Sequence, residues 1–362
     1  MNRERIKKVT ACILLIAAFA ALAGCGAAPA QPTQDLNEAK KTITIQDSSN
    51  RTVEVPYPVE SIVVLWNNPT EIITALGAVD RIVGIDTATK GDVDKGFYPE
   101  LKDTPVIGSC EEPNYEKIAE LDPDVVLMLT SYPPLPDEVS SQLESFGIPV
   151  VALDFYNTST FYREITTLGT MLGQESKAKE LISLFDDTIS KITTVVSEIP
   201  DDERKSVYFE AAADFKTYGG AGDGCGIPEM IRMAGGIDLY PEIAATVFEV
   251  NPEDIATRNP DIIIKGQNDG YFLTDSTSFK EVNDIILARP EFSNTAAIKN
   301  NDVYTMSFNI AGGTRKIFGP MYLAKILYPE KFEDLNPDAV LKEYLETYLG
   351  RTWQGVYVYH ED

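Results

Sequence analysis

One short motif is written twice in this chain, and that repetition constrains the fold more than any other feature. Residues 115–129, YEKIAELDPDVVLML, and residues 252–266, PEDIATRNPDIIIKG, both read Glu-x-Ile-Ala-x-x-x-Pro-Asp followed by a β-branched run. The matched positions are Glu116, Ile118, Ala119, Pro123, Asp124, Val125 and Val126 against Glu253, Ile255, Ala256, Pro260, Asp261, Ile262 and Ile263. Between the copies lies residues 175–198, ESKAKELISLFDDTISKITTVVSE. Its apolar positions Ala178, Ile182, Phe185, Ile189, Ile192 and Val196 alternate gaps of four and three, which is one stripe of a helix. At ~1.5 Å per residue that helix is a rod of roughly 36 Å, stopped by Pro200, Asp201 and Asp202. Two like-built halves joined by a stiff rod is the predicted architecture.

The rest of the chain alternates strands with helices of about ten residues, the grammar of βαβ units. Residues 42–55 read as a hairpin turning at Asp47-Ser48-Ser49-Asn50. Short apolar strands follow at 62–65, 81–85, 106–107, 124–129 and 149–153, and in the second half at 206–210, 262–266 and 303–306. Helices are expected over 70–76, 138–146, 227–234, 282–287, 314–327 and 337–348. The expected fold class is α/β, with two Rossmann-like lobes built on mainly parallel central sheets and joined by a single long helix. The boundaries read as a lobe over 42–158, a bridging helical segment over 159–199 and a second lobe over 200–362. Ligands of open parallel sheets sit where loops leave the carboxyl ends of the strands. Those loops are 66–69, 108–114, 130–136, 218–226, 267–272 and 307–313.

The first 24 residues read as an export signal. Arg3, Arg5, Lys7 and Lys8 precede the apolar run Val9 to Leu22, and Ala23-Gly24 lead to Cys25. The run is shorter than a bilayer span needs. Leu22-Ala23-Gly24-Cys25 resembles the lipobox of prokaryotic lipoproteins, which implies lipidation at Cys25 and tethering outside the cytoplasm, with 25–41 as an Ala/Pro/Gln-rich linker. The signal carries a net +3, so the whole-chain charge of −25 becomes −28 once it is removed. So acidic a chain is a poor nucleic-acid binder, because phosphates repel it. Cys12 leaves with the signal, and Cys110 and Cys225 alone remain as thiols, which excludes a disulfide scaffold.

Several chemistries are excluded by what the chain lacks. His360 is the one histidine, so an imidazole-held metal and a Ser-His-Asp or Cys-His mechanism are both set aside. The run Gly219, Gly220, Gly222, Gly224 and Gly226 has no following Lys-Ser/Thr and reads as a flexible cleft loop rather than a phosphate cradle. Asp92 and Asp94 lack the spacing of a calcium loop and read as solvated. What remains is an aromatic and amide-rich set on the cleft loops: Trp66, Asn67, Asn68, Tyr132, Tyr156, Tyr218, Asp223, Asn268, Tyr271, Phe272, Phe308 and Asn309. Apolar walls with a few polar groups suit a large planar or greasy small molecule. Arg315 stands just beyond a cleft loop, where it pairs either an anionic ligand group or a structural carboxylate. Cys110 and Cys225 fall on cleft loops and read as buried small residues, as thiols touching ligand or as a redox pair.

The hairpin 42–55, with 62–65, Thr70-Glu71, Ala75-Leu76-Gly77 and Arg81-Ile82-Val83-Gly84, resembles the opening of the substrate-binding proteins of ferric-siderophore and cobalamin ABC importers. Asn114-x-Glu116, Leu121-x-Pro123-Asp124, Glu229-x-x-x-x-Ala234-Gly235-Gly236 and Arg289-Pro290 through Val303-Tyr304 extend the likeness over nearly all of 42–330. The resemblance implies two lobes with one bridging helix and small hinge motion. It implies partners, an ABC permease and its ATPase, met through one acidic residue on each lobe. The first-lobe position matches Glu116. On the second lobe Arg232 stands where some members carry the acid, and Glu229, one turn earlier, is the substitute. The expected protein is a lipid-anchored, monomeric, non-catalytic binder with no intrinsic cofactor. It captures a ferric siderophore, with a corrinoid or haem as alternatives. A solute-sensing lipoprotein and a metallocofactor-handling enzyme are the readings from other classes.

Overall fold

The computed structural model describes residues 41–130, 134–220 and 226–361. Strands β1 (Thr42–Gln46) and β2 (Thr52–Pro56) form the expected antiparallel hairpin. Strands β3 (Ile62–Val64), β4 (Ile82–Gly84), β5 (Val125–Met128) and β6 (Val150–Ala152) make a parallel sheet in the order β4-β3-β5-β6. In the second lobe the strands are β7 (Ser206–Glu210), β8 (Lys216–Thr217), β9 (Ile237–Asp238), β10 (Phe248–Glu249), β11 (Ile262–Gln267), β12 (Val303–Ser307) and β13 (Val358–His360). The main sheet there runs β13-β12-β11-β7-β9 and is parallel apart from β13, while β8 and β10 form a small antiparallel ribbon. Strand β5 is buried along its whole length and β11 at all but its last residue, as strands covered on both faces must be.

The repeated motif builds the same device in both lobes. Each copy opens on an Asn whose side chain caps its helix, Asn114 accepting from the Lys117 N–H at 2.9 Å and Asn251 from the Glu253 N–H at 2.9 Å. Each helix closes on a left-handed residue, Asp122 (φ 45°) or Asn259 (φ 51°). The motif Asp then ties its strand to a neighbour. Asp124 accepts from the Glu60 and Ser61 backbone N–H groups at 2.8 and 3.1 Å, and its own N–H donates to the Ser61 hydroxyl. Asp261 accepts from the Ser206 N–H and hydroxyl, both at 2.8 Å, and its N–H donates back to that hydroxyl.

The bridging helix spans Glu175–Val196. Its buried stripe is Ala178, Leu181, Phe185, Thr188, Ile192 and Val196, turned slightly from the expected one, so Ile182 and Ile189 are only half-buried. Thr188 tolerates burial because its hydroxyl donates to the Leu184 carbonyl at 2.8 Å. Phe185 is fully buried, its ring centroid 5.5 Å from Phe161 on the first-lobe side and 5.8 and 5.6 Å from Phe318 and Tyr344 on the second. One hydrophobic core runs through the helix from Ile45 in the first lobe to Leu349 near the chain end.

Four differences from the sequence reading bear on the site. Residues 67–69, expected as loop, are the first turn of a helix Asn67–Ala75, with Trp66 at its N-cap. The stretch holding Asp92 and Asp94, expected as solvated, is a helix, Thr87–Asp94, because Asp86 accepts from the N–H groups of Ala88 and Thr89. The expected continuous helix 314–327 is a 3-10 turn, Thr314–Ile317, followed by Gly319–Leu327. Beyond the helix Pro337–Glu343, the chain passes through a π-helical turn to Tyr348 and returns as the unforeseen edge strand β13.

Truncating the ring on which both lobes close should be costly. Phe185→Ala is expected to remove about 3–5 kcal/mol of unfolding free energy, read by urea denaturation. A loss under about 1 kcal/mol would show that the two lobes hold together without it.

Candidate functional site

A cavity of about 600 Å³ lies between the lobes, at the carboxyl ends of both sheets. The first lobe supplies Trp66, Asn67, Asn68, Glu71, Asp92, Tyr98, Leu129 and Tyr156, and the second Asn268, Phe308, Asn309 and the stretch 311–316. Hydrogen bonds hold several of these side chains in place. The Asn68 amide donates to the Asp154 carbonyl at 2.9 Å, and the Asn67 amide to Asp92 Oδ2 at 3.3 Å. Phe155 takes a left-handed conformation (φ 52°) while its N–H donates to the buried Glu164 carboxylate at 2.6 Å, and the next residue, Tyr156, lines the cavity. Opposite, Asn309 Oδ1 accepts from the Tyr271 N–H at 2.9 Å, and the Asn309 N–H donates to Ser307 Oγ at 2.9 Å. Gly313 (φ 57°) turns the chain into Thr314, Arg315 and Lys316.

Charge is concentrated here. Arg315 Nε stands 3.2 Å from Glu71 Oε2, with its guanidinium 4.9 Å from the Phe97 ring centroid. Its Nη1 is buried and has no hydrogen-bond partner among the described residues. Glu71 accepts a second bond at 3.0 Å from the hydroxyl of Tyr344. Burial raises the Glu71 carboxyl above its ordinary range, against the pull of Arg315 and Tyr344. Burial raises Asp92 as well, opposed by the Asn67 amide and by Arg315. Lys316 is buried, its ammonium 5.3 Å from the centroid of the Tyr156 ring. The arrangement offers amide donors and acceptors, aromatic faces and opposed charges to a ligand the size of a small chelate. Among the described residues no three His, Cys, Asp or Glu side chains gather as metal ligands.

Of the residues expected from the sequence, Trp66, Asn67, Asn68, Tyr156, Asn268, Phe308, Asn309 and Arg315 meet in this cavity. Tyr271 and Phe272 line an annex of about 330 Å³ that shares Asp92, Asn268, Asn309 and Arg315 with it. Tyr218 packs edge-on to Phe209 at 6.2 Å and lines neither space. Cys25, Tyr132, Asp223 and Cys225 lie outside the described residues. Cys110 is buried and lines neither cavity, and burial pushes its thiol up to about 11. Gly219 and Gly220 are not an open loop: a Cβ would stand 2.3 Å from the Ile243 carbonyl oxygen at one and 2.6 Å from Asp238 at the other, so close packing demands glycine there. Glu116 is exposed in the first turn of its helix. Glu229 is half-buried, accepts a hydrogen bond from the Thr158 hydroxyl of the neighbouring segment, and has its Oε2 buried without a hydrogen-bond partner among the described residues.

Sequence reasoning missed Glu71, Asp92, Tyr98 and Lys316. Asp92 was placed on a solvated loop, although Asp86-Thr87-x-Thr89 is a helix-start signal that would have put it on a helix. Lys316 adjoins Arg315 and was within reach of the same argument.

Comparison with known proteins agrees with this geometry. The sequence profile of the family described as periplasmic binding protein matches residues 62–309. An ABC transporter substrate-binding lipoprotein of Bacillus subtilis, YvrC, is 30% identical over 328 residues, 88% of this chain and 97% of that protein. The molybdate-binding protein MolA of Haemophilus influenzae is 26% identical over 340 residues, 86% of this chain and 92% of that one. A solved structure of the TroA-like periplasmic binding protein FepB from Veillonella parvula superposes with a TM-score of 0.78 at 25% identity, covering 88% of this chain and 100% of that one.

The Glu71–Arg315 pair joins the lobes across the cavity wall, and breaking it leaves a buried guanidinium without its counter-charge. Glu71→Gln is therefore expected to lower unfolding free energy by about 3 kcal/mol, read by urea or thermal unfolding. A variant within about 0.5 kcal/mol of the parent would show that the pair adds nothing to stability.

Proposed function

The chain belongs to the periplasmic binding protein family, the non-catalytic substrate-binding proteins of ABC importers, and from that premise we propose that it captures a ferric siderophore between its lobes and hands it to a permease. The observation in favour is the interlobe cavity of about 600 Å³, with amides on both walls and one guanidinium nitrogen of Arg315 unpaired. A chelate presents a shell of oxygen acceptors to such donors, and the aromatic faces of Trp66, Tyr156 and Phe308 suit its organic arms. A bare tetrahedral oxyanion would leave most of that volume unfilled. Haem needs an axial His, Cys, Met or Tyr; the described lining offers only the tyrosines Tyr98 and Tyr156, and burial pushes the Tyr98 hydroxyl well above its ordinary value, against ligation as a phenolate. In this reading the signal at 1–24 is removed, Cys25 carries lipid, and the body works outside the cytoplasmic membrane. No helix among the described residues is long and apolar enough to cross one.

Trp66 lines the cavity and Trp353 is the other tryptophan, so a Trp353→Phe background isolates one reporter. Titration with ferric hydroxamate, ferric catecholate, haem, a corrinoid and molybdate should give saturable quenching by a ferric siderophore, at a Kd near or below ~10⁻⁷ M. Asn268→Ala, which removes one exposed amide, should weaken it about fivefold. Saturation by molybdate, haem or the corrinoid alone would replace the siderophore with that ligand. Flat responses to all five would sink the chelate.

For docking, Glu253 is the counterpart of Glu116. Both are exposed, and both lie in the first turn of the equivalent motif helix. We assign permease contact to this pair in place of Glu229, whose carboxylate bonds to Thr158. Glu116→Arg and Glu253→Arg should leave ligand Kd unchanged while cutting uptake through the cognate permease about tenfold or more, since each places a like charge at an interface. Undiminished uptake by both variants would dismiss the pair.

A further inference from the structure

Charge on the two walls of the cavity goes beyond naming a chelate. Among the described lining residues, the first lobe contributes two carboxylates, Glu71 and Asp92, and the second two cations, Arg315 and Lys316. Formal charge sums to zero. The cations are not surplus, because Glu71 stands 3.2 Å from Arg315. Asp92 is differently placed. Its one hydrogen bond among the described residues comes from the neutral Asn67 amide at 3.3 Å, and no cation comes within ion-pair distance of it. It is half-buried and lines both the main cavity and the annex, so a bound ligand reaches it from either side.

A carboxylate so placed acts on ligand charge. In a partly dry cleft the field of a carboxylate without an ion-pair partner is screened far less than at the surface, and neutralising it would leave the described lining at +1. Three singly charged hydroxamates cancel the charge of a ferric ion, whereas three doubly charged catecholates leave a trianion. We propose that Asp92 is a charge filter: it makes the cleft selective for electroneutral ferric tris-hydroxamates and turns away polyanionic tris-catecholates. This rests on the chelate reading above and sharpens it to a ligand class. The groups facing Asp92 agree with it. Asn67 orients the carboxylate without adding charge. The positive charges around it are Arg315, engaged by Glu71, Lys316 on the opposite wall and Lys95, exposed at the rim of the annex, to which Asp269 adds a carboxylate. Burial raises the Asp92 carboxyl, so the filter weakens as pH falls and the group takes up its proton.

The test is a pair of titrations at mildly alkaline pH, with a cyclic ferric trihydroxamate bearing no pendant charge and with a ferric tricatecholate. Both use the soluble protein without its lipid and its Asp92→Asn variant. The parent should bind the neutral chelate at least about tenfold more tightly than the trianion. Asp92→Asn should close that gap about tenfold by tightening the trianion, a ligand-specific gain that a merely structural role would not produce. Equal or tighter binding of the trianion by the parent overturns the filter and leaves the chelate reading standing, and this arm needs no variant. Parallel weakening of both ligands in Asp92→Asn also overturns it, since the residue would then be holding the site together. Binding of neither chelate overturns the filter and the chelate reading together.

Discussion

The structure depends on Phe185. A two-lobed protein with its ligand between the lobes must hold the walls at a fixed distance without closing the cleft, and the bridging helix does this from behind. Its ring meets Phe161 from one lobe and Phe318 and Tyr344 from the other, so the lobes share one core instead of owning two. Close-packed interiors are poorly compressible, and a core continuous through the bridge resists hinge opening more than a flexible linker would. The cleft is therefore largely preformed, which spares ligand binding much of the cost of ordering its walls.

Polar contacts restrain the lobes from the front. Tyr344 reaches Glu71, Arg351 makes two bonds to Glu100 at 3.0 and 2.7 Å, and the Thr314 hydroxyl donates to the Asn68 carbonyl at 3.4 Å. The first two come from the segment after the second lobe's helices, which runs back over the first lobe before ending as β13. The same segment thus closes the second sheet and straps the first lobe. Glu71 belongs to the cavity wall and to this strap at once, so any charge brought to Arg315 would be felt by the contacts that set the spacing of the lobes.

The frame was legible in the sequence because it is built from local rules repeated twice. Asn caps, left-handed helix ends and the Asp124 and Asp261 ties follow from a few residues at fixed spacing, and the bridge announces itself through its apolar period. Eight of the expected cavity residues met because parallel sheets present their loops at one end. What stayed hidden depends on contacts distant in sequence. Nothing local tells that Glu71 faces Arg315, or that the chain after Tyr348 adds an edge strand. Asp92 is the instructive case: its neighbours carried a cap signal, yet a short charged helix resembles a loop when only composition is weighed. Glu229 was hidden in another way, since its carboxylate is engaged by Thr158 in a segment that sequence order places far away.

The two lobes are alike in frame and unlike at the cleft, and physics accounts for the division. The motif's hydrogen bonds are internal to each lobe, so both copies must satisfy the same buried donors and acceptors and little else fits. The loops at the carboxyl ends carry no such obligation and are free to differ. One lobe places a helix N-terminus and two carboxylates at the cleft, whereas the other places a glycine turn and two cations. A cleft formed by two identical walls would carry like charge on both and repel itself when closed. Opposite walls attract, so the interlobe contact that shapes the cavity and the neutrality that selects its ligand come from the same asymmetry.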